Sequence, residues 1–396
     1  MNKRARIESW ITLGCFFLGA GLGLLWPDLF THIGFLGDLY IDLLKLMALP
    51  IVLCTVFNAA SRGAKSATRA LLKALLLFAV LFAVSFCLSA VPYSILSPGT
   101  GFVLAGGEPW TGAAAELSIG GFLRNIFSEN VFASLGSGAM LPCILFAFVM
   151  GVAAQRVRAE RVLALFGELE SVFARMLSWV LHLTPLGVFV LMGRCTSGFG
   201  AEALGGALSY VLYAWGGCLL ILLLVMILPL WLIARIDPVT YFRKTGRALL
   251  MALSTCSSAA TLPETLRTCR EEFNVPERVA GVVAPLGCTV HMCGGAVSFA
   301  LLGLFTMQMT GRPVTVGLFL LMLLFAEVLN MAAPGIPGGG IVLGATFLSL
   351  LGMPDAGLFL GMYAGIYRLL DMAYTTLNVA GDVTATLLID RWEQRR

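Results

Sequence analysis

Between residues 8 and 234 the chain carries six apolar stretches, at roughly 8–27, 36–60, 70–96, 138–154, 171–193 and 208–234, most of them long enough to cross a bilayer. A helix that spans the hydrocarbon core needs about 20 predominantly apolar residues. No water is available at that depth to satisfy a free backbone N–H or C=O, so only helices and closed barrels can span it. Continuous apolar runs of this length, without period-two alternation, predict helices. Composition agrees, with 59% hydrophobic and 12% charged residues, against roughly 45–50% and about 25% in soluble domains. The expected class is an all-α polytopic membrane protein. A net charge of +4 in such a chain gives no support to nucleic-acid binding.

After residue 234 the pattern changes to a broken segment at about 239–267, a span at about 279–308, a second broken segment at about 317–352 and a last span at about 356–389. The first broken segment holds the hydroxyl-rich run Ser254-Thr-Cys-Ser-Ser-Ala-Ala-Thr-Leu-Pro263, and the second holds Pro334-Gly-Ile-Pro-Gly-Gly-Gly340. Polar, Pro- and Gly-broken backbone survives at membrane depth only where it is buried in protein or lines a cavity. A matched pair of interrupted segments points to a substrate site and to an inverted repeat, here two re-entrant hairpins each followed by a helix. Basic clusters at Lys3/Arg4/Arg6, Arg62/Lys65/Arg69/Lys73, Arg156/Arg158/Arg161, Arg235/Arg243/Lys244/Arg247, Arg267/Arg270/Arg278 and Arg391/Arg395/Arg396 mark the cytoplasmic loops. Both termini are then cytoplasmic in a plasma (inner) membrane, hairpin 239–267 enters from the cytoplasm, and hairpin 317–352 enters from outside. The basic start, Met1 to Arg6, reads as the beginning of the first span and not as a cleaved signal peptide. Ten cysteines scattered singly through apolar stretches, with no CxxC pair, read as reduced helix residues and not as a disulfide framework.

The last span contains Asp371-Met-Ala-Tyr-Thr-Thr-Leu-Asn378-Val-Ala-Gly-Asp382, which sets Asp371, Thr375, Asn378 and Asp382 on one helical stripe. An unpaired carboxylate at that depth costs several kcal/mol, so two of them on one stripe read as a pair that binds a cation and an ammonium group. Pairing with Arg368 is the structural alternative.

With these residues in view the chain resembles the dicarboxylate/amino acid:cation symporter family, which has the glutamate-transporter fold. The resemblance runs over most of the length. It rests on Leu36-Gly-Asp-Leu and Leu46-Met-Ala-Leu-Pro50, on Thr184-Pro-Leu-Gly-Val-Phe189, on the Ser-rich first hairpin, on Pro285-Leu-Gly-Cys-Thr289, on Gly335-Ile-Pro-Gly338 and on Thr375 through Asp382. It implies eight transmembrane helices plus two opposed re-entrant hairpins, assembled as a homotrimer whose scaffold holds moving transport domains in an elevator arrangement. The implied division is scaffold at 1–66 and 101–207, and transport domain at 67–100 and 208–396. By resemblance Ser257 and Ser258 would hold a substrate carboxylate and Asp371 the substrate amino group. Tyr374, Thr375 and Asn378 would complete the pocket, with backbone around Ile336 and Gly340 closing its outer lid. Cation positions would draw on backbone carbonyls near Gly287, Thr289, His291 and Asn378, on the Asp382 carboxylate and on carbonyls of the second hairpin around Asn330 to Ala333, for sodium or protons as coupling ions and no other cofactor.

The chain departs from the family pattern in two places. Where the seventh span of that family carries Asn-Met-Asp-Gly-Thr, this chain reads His291-Met292-Cys293-Gly294-Gly295, and the neighbouring positions of the third span are Phe78, Leu81 and Phe82. Hard cations want oxygen ligands, so one sodium site is expected to be lost. His291, with an ordinary pKa near 6.5, becomes the proton candidate, against the alternative that it is neutral and hydrogen-bonded in the core. Tyr374 stands where members that take acidic substrates have an Arg, and a phenol cannot supply a bidentate guanidinium. The resulting expectation is a symporter that imports a small, neutral amino acid, with a dicarboxylate or acidic amino acid as the alternative. A non-transporting receptor, or a Cys/His enzyme or soft-metal site built on Cys256, Cys288, His291 and Cys293, are the remaining readings.

Overall fold

The computed structural model describes residues 3–65, 69–96, 127, 129–137, 140–200, 202–331, 338–353 and 357–394, and among them the regular structure is helical throughout. The first half runs through α1 (Lys3–Leu25), α2 (Pro27–Lys65), α3 (Arg69–Leu96), a short α4 (Val131–Ser137), α5 (Met140–Arg156), α6 (Glu160–His182), α7 (Thr184–Phe199) and α8 (Glu202–Ile221). Wide π turns carry α8 on to Ala234. The second half is α9 (Pro238–Thr255), α10 (Ser258–Arg267), α11 (Glu277–Val290), α12 (Cys293–Met309), α13 (Val316–Met331), α14 (Gly339–Leu350) and α15 (Gly357–Gln394). The two broken segments are therefore helical hairpins, α9/α10 and α13/α14.

The outer surface is apolar. Leu72, Leu76, Val80, Val84, Val91 and Ile95 form an exposed stripe at helical spacing along α3, and Leu208, Leu212 and Leu219 do the same on α8. Contiguous apolar surface on that scale is not tolerated in water, and hydrocarbon covers it. Among the described residues, Leu72–Ile95, Leu204–Ala234 and Glu277–Met309 are long and apolar enough to cross a membrane, and α6 with α7 makes a further, bent candidate. This is an integral membrane protein.

Two stretches expected as single spans, 171–193 and 279–308, are each broken. Leu183 separates α6 from α7 at a bend of 51°, and Pro185 opens the new helix, where its missing N–H is no loss. At His291–Met292 the backbone turns extended between α11 and α12, with His291 at φ −109° and ψ 102°. That second break lies inside the protein, where its freed backbone groups find partners.

Close packing fixes the frame. A Cβ on Gly19 or Gly23 would strike the backbone of Phe189 or Gly193, so α1 and α7 touch main chain to main chain, and Thr196 Oγ1 donates to the Ala20 carbonyl at 3.0 Å. Small residues perform this role between membrane helices because lipid and side chains are equally apolar and only close contact discriminates. Asp237 starts the first hairpin as the cap of α9, accepting the Thr240 N–H at 2.9 Å, and hydrogen bonds from the Thr240 side chain and backbone hold its carboxyl below the usual carboxylate range. α15 is the axis of the second half, packed on α7, α8, α9, α11 and α12 and buried over most of its length.

Candidate substrate and cation site

The site forms where the end of α9 and the starts of α10 and α14 meet the middle of α15. α9 ends at Cys256, which adopts a left-handed conformation (φ 52°) that lets the chain reverse. Ser257 then caps α10 by accepting the Ala260 N–H at 3.2 Å. Opposite, Gly338 (φ 80°) caps α14. α10 and α14 thus point their N-termini toward α15, and unsatisfied N–H groups with the positive end of the helix dipole favour an anionic group there.

A cavity of ≈60 Å³ lies between these ends, lined by Cys256 and Ser258 from the first hairpin, Asn330, Gly340 and Leu343 from the second, Met292, Gly295, Ser298 and Phe299 from the broken span, and Tyr367, Asp371, Tyr374, Thr375 and Asn378 from α15. At roughly 10–15 Å³ per water-sized group it holds about four to six such groups, the scale of a compact metabolite. Its charge is one-sided. Asp371 is its carboxylate, and among the described residues no Lys or Arg lines it. Asp371 is 7% exposed; its Oδ2 accepts the Gly338 N–H at 3.2 Å and its Oδ1 accepts the Thr375 hydroxyl at 3.0 Å, so it ties α15 to the start of α14. Asn378 Oδ1 accepts the Gly294 N–H at 2.7 Å, which leaves its amide NH₂ for a ligand. Arg368 donates to the Ser254 carbonyl at 3.4 Å and stays outside the lining.

Of the substrate residues expected from sequence, Ser258, Gly340, Asp371, Tyr374, Thr375 and Asn378 all line this cavity. Ser257 does not: its hydroxyl is engaged as the cap of α10. Ile336 falls outside the described residues. Gly340 is required by space, since a Cβ there would meet the Tyr367 ring, with Cζ at 2.7 Å.

Among the cation residues, Gly287, His291 and Asp382 come together. A Cβ on Gly287 would touch the Asp382 carboxylate, and His291 Nδ1 lies 3.4 Å from Asp382 Oδ1. The Thr289 hydroxyl donates back to the Leu286 carbonyl at 2.9 Å, while the cation role expected at this position is that of its backbone carbonyl. Asn378 belongs to the substrate cavity. The Phe78 ring stacks on His291 at 4.5 Å and 12°, with Leu81 and Phe82 buried beside it on α3. One carboxylate, an imidazole and a flat hydrocarbon face do not make the oxygen cage that a hard cation wants. His291 Nε2 also lies 3.0 Å from the Cys293 sulfur, a contact that a continuous helix would not give and that the break at 291–292 creates. Among the described residues no group of three His, Cys, Asp or Glu side chains is disposed to hold a metal ion.

Sequence reasoning passed over Cys256, Met292, Ser298, Phe299, Asn330, Leu343 and Tyr367 as lining residues. It also passed over Glu327, the single charged residue of the 16-residue α13, whose Oε2 is buried with no hydrogen-bond partner. Its signal was legible, because a lone carboxylate in an apolar helix at membrane depth is a functional candidate by default.

The family model described as sodium:dicarboxylate symporter family matches residues 9–392. The chain is 29% identical to the proton/sodium-glutamate symport protein of Geobacillus stearothermophilus, over 97% of this chain and 91% of that one. It is 28% identical to the C4-dicarboxylate transport protein of Azorhizobium caulinodans over 96% and 87%, and 28% identical to the proton/glutamate-aspartate symporter of Escherichia coli over 91% and 85%.

Proposed function

This chain belongs to the sodium:dicarboxylate symporter family, and we propose that it imports a small amino acid together with a cation, holding the substrate ammonium at Asp371 and its carboxylate at the start of α10. It is a symporter and not an enzyme. The observation that carries the amino acid reading is the charge pattern of the cavity: a buried carboxylate, a helix N-terminus with Ser258, and, among the described residues, no cationic lining residue. That pattern is complementary to a zwitterion. A dianion would face Asp371 with no cationic side chain in the described lining to compensate its second charge, since Arg368 acts on Asp371 only from outside that lining.

With Tyr374 and Gly295 at the side-chain end, the favoured substrate has a short, neutral side chain. A second reading has support as well. The relatives named above carry glutamate, aspartate or C4-dicarboxylates in their names. Arg368 would have to leave the Ser254 carbonyl to serve such a substrate. The coupling ion is sodium or a proton. The scaffold and transport division at 1–66 and 101–207 against 67–100 and 208–396, the homotrimer, the elevator motion and cytoplasmic termini in an inner membrane belong to the same proposal.

Uptake into proteoliposomes, across a panel of neutral amino acids, acidic amino acids and C4-dicarboxylates, tests it with sodium and proton gradients imposed separately. Accumulation of a neutral amino acid is the expected result. Accumulation of dicarboxylates alone would select the second reading, and binding without accumulation would leave only a receptor.

A further inference from the structure

Glu327 takes no part in the cavity or in the His291–Asp382 pair, yet it is a carboxylate inside an apolar helix with one oxygen sealed from solvent and unpartnered. Asn330, three residues on and thus on the same side of α13, repeats the feature: its Nδ2 donates to the Val290 carbonyl at 3.3 Å and its Oδ1 is buried without a partner, facing Gly295 and the substrate cavity. Two buried oxygens on one helix face, with acceptor capacity unfilled, are an exception that protein interiors avoid.

The surroundings decide what fills Glu327. From α12, the Cys293 thiol lies within electrostatic reach of both Glu327 and Asp382, and behind it stand His291 and Asp382. The titratable residues of α11 are Glu277 and Arg278 at its far start and Cys288; α14 has none. On α3, Lys73 sits at the beginning and pairs with Glu393, Cys87 is a thiol, and Tyr93 lies near the other end. Arg312, ahead of α13, donates to the Leu351 carbonyl at 2.6 Å. Among the described residues no ion pair reaches Glu327. A metal cation would need a ring of oxygens where the named neighbour is a thiol, whereas a proton needs one acceptor.

We infer that Glu327 is a proton-binding group on the second hairpin and that its protonation is the event coupled to closing that hairpin over substrate. This rests on the reading of the chain as a cation-coupled symporter. With the hairpin open, the Glu327 carboxylate exchanges a proton with water on the side it faces. When substrate enters and α13 and α14 close on it through Asn330 and Gly340, the Glu327 Oε2 is sealed without a partner. An ionised carboxylate is then heavily penalised, while a neutral O–H formed on Oε2 costs far less. The loaded, closed state therefore carries one proton more than the empty, open state, and opening on the other face releases it. Substrate and proton bias the same closure, which is what coupling requires.

The experiment is equilibrium substrate binding to purified protein in lipid nanodiscs as a function of pH, with wild type, E327Q and E327D, joined to infrared difference spectra of the same samples between acid and alkaline pH without substrate. One coupled proton makes wild-type affinity fall about tenfold per pH unit on the alkaline limb. E327Q should bind with flat pH dependence and lose accumulation driven by an inward proton gradient. E327D should keep a pH dependence, displaced along the pH axis. The protonated carboxyl C=O band that titrates in wild type should be missing from E327Q. Retention of wild-type pH dependence or of that band in E327Q would overturn the assignment, as would wild-type binding that follows sodium and ignores pH. If wild type bound no amino acid or dicarboxylate at all, the symporter reading would fall, while the infrared comparison would still decide whether Glu327 holds a proton.

Discussion

Asp371→Asn isolates charge from shape. In the structure the carboxylate accepts two hydrogen bonds, from the Gly338 N–H at 3.2 Å and the Thr375 hydroxyl at 3.0 Å. An Asn has one oxygen and can keep one of them, so the folded state loses about 0.5–1.5 kcal/mol and the protein should still insert and purify. Substrate binding is affected far more. The ammonium would be left in a buried cavity without its partner, and removing one member of a buried charge pair costs about 2–5 kcal/mol, or roughly 30- to 4,000-fold in apparent affinity. The assay is uptake and equilibrium binding in proteoliposomes, with thermal unfolding as the control that the variant is folded. A folded Asp371→Asn variant that takes up a neutral amino acid at close to the wild-type rate would refute the ammonium assignment. Tolerance of the same variant with a C4-dicarboxylate, which has no amine, would favour the second substrate reading.

Tyr374→Arg should move preference toward aspartate and glutamate in competition assays, because the guanidinium supplies the bidentate carboxylate partner that the phenol lacks; unchanged selectivity would remove Tyr374 from the side-chain pocket. Gly340→Ala drives a methyl group into the Tyr367 ring, so substrate affinity should fall roughly 5- to 150-fold, by the order of about 1–3 kcal/mol that overpacking costs, while an unimpaired variant would mean that α14 does not close as seen. With Phe78 filling the face of His291, sodium should stimulate uptake shallowly or not at all, and a steep, multi-ion sodium dependence would show that a full oxygen site survives there. Gly23→Ala should lower the unfolding temperature by pushing α1 off the Gly193 backbone, with transport selectivity unchanged; a neutral effect on stability would mean that the two helices can separate freely.

What the sequence determined by itself is whatever follows from the backbone's need for hydrogen bonds in hydrocarbon. Long apolar stretches had to be helices, and Ser254–Pro263 and Pro334–Gly340 pointed to interrupted ones, because polar, Pro- and Gly-rich sequence survives at that depth only where protein or a cavity satisfies its backbone. The stripe of Asp371, Thr375, Asn378 and Asp382 was legible too, since helical periodicity places them on one side whatever surrounds them. The tertiary structure decided the rest. Tyr367, Asn330, Leu343 and Met292 line the cavity, yet nothing in their local sequence distinguishes a side chain facing the site from one facing lipid, because both surroundings are apolar and the hydrophobic pattern is silent between them. Ser257 and Ser258 are adjacent and chemically identical, and only the cap geometry of α10 commits one to the helix and the other to the cavity. The break at His291–Met292, in a stretch that reads as one span, exists because α13 and α15 supply partners for the freed groups: Asn330 takes the Val290 carbonyl and Asn378 the Gly294 N–H. That break brings His291 against Cys293, with His291 beside Asp382 and Cys293 within electrostatic reach of Glu327, residues far apart in the chain whose placement is fixed by helix packing and by no local pattern.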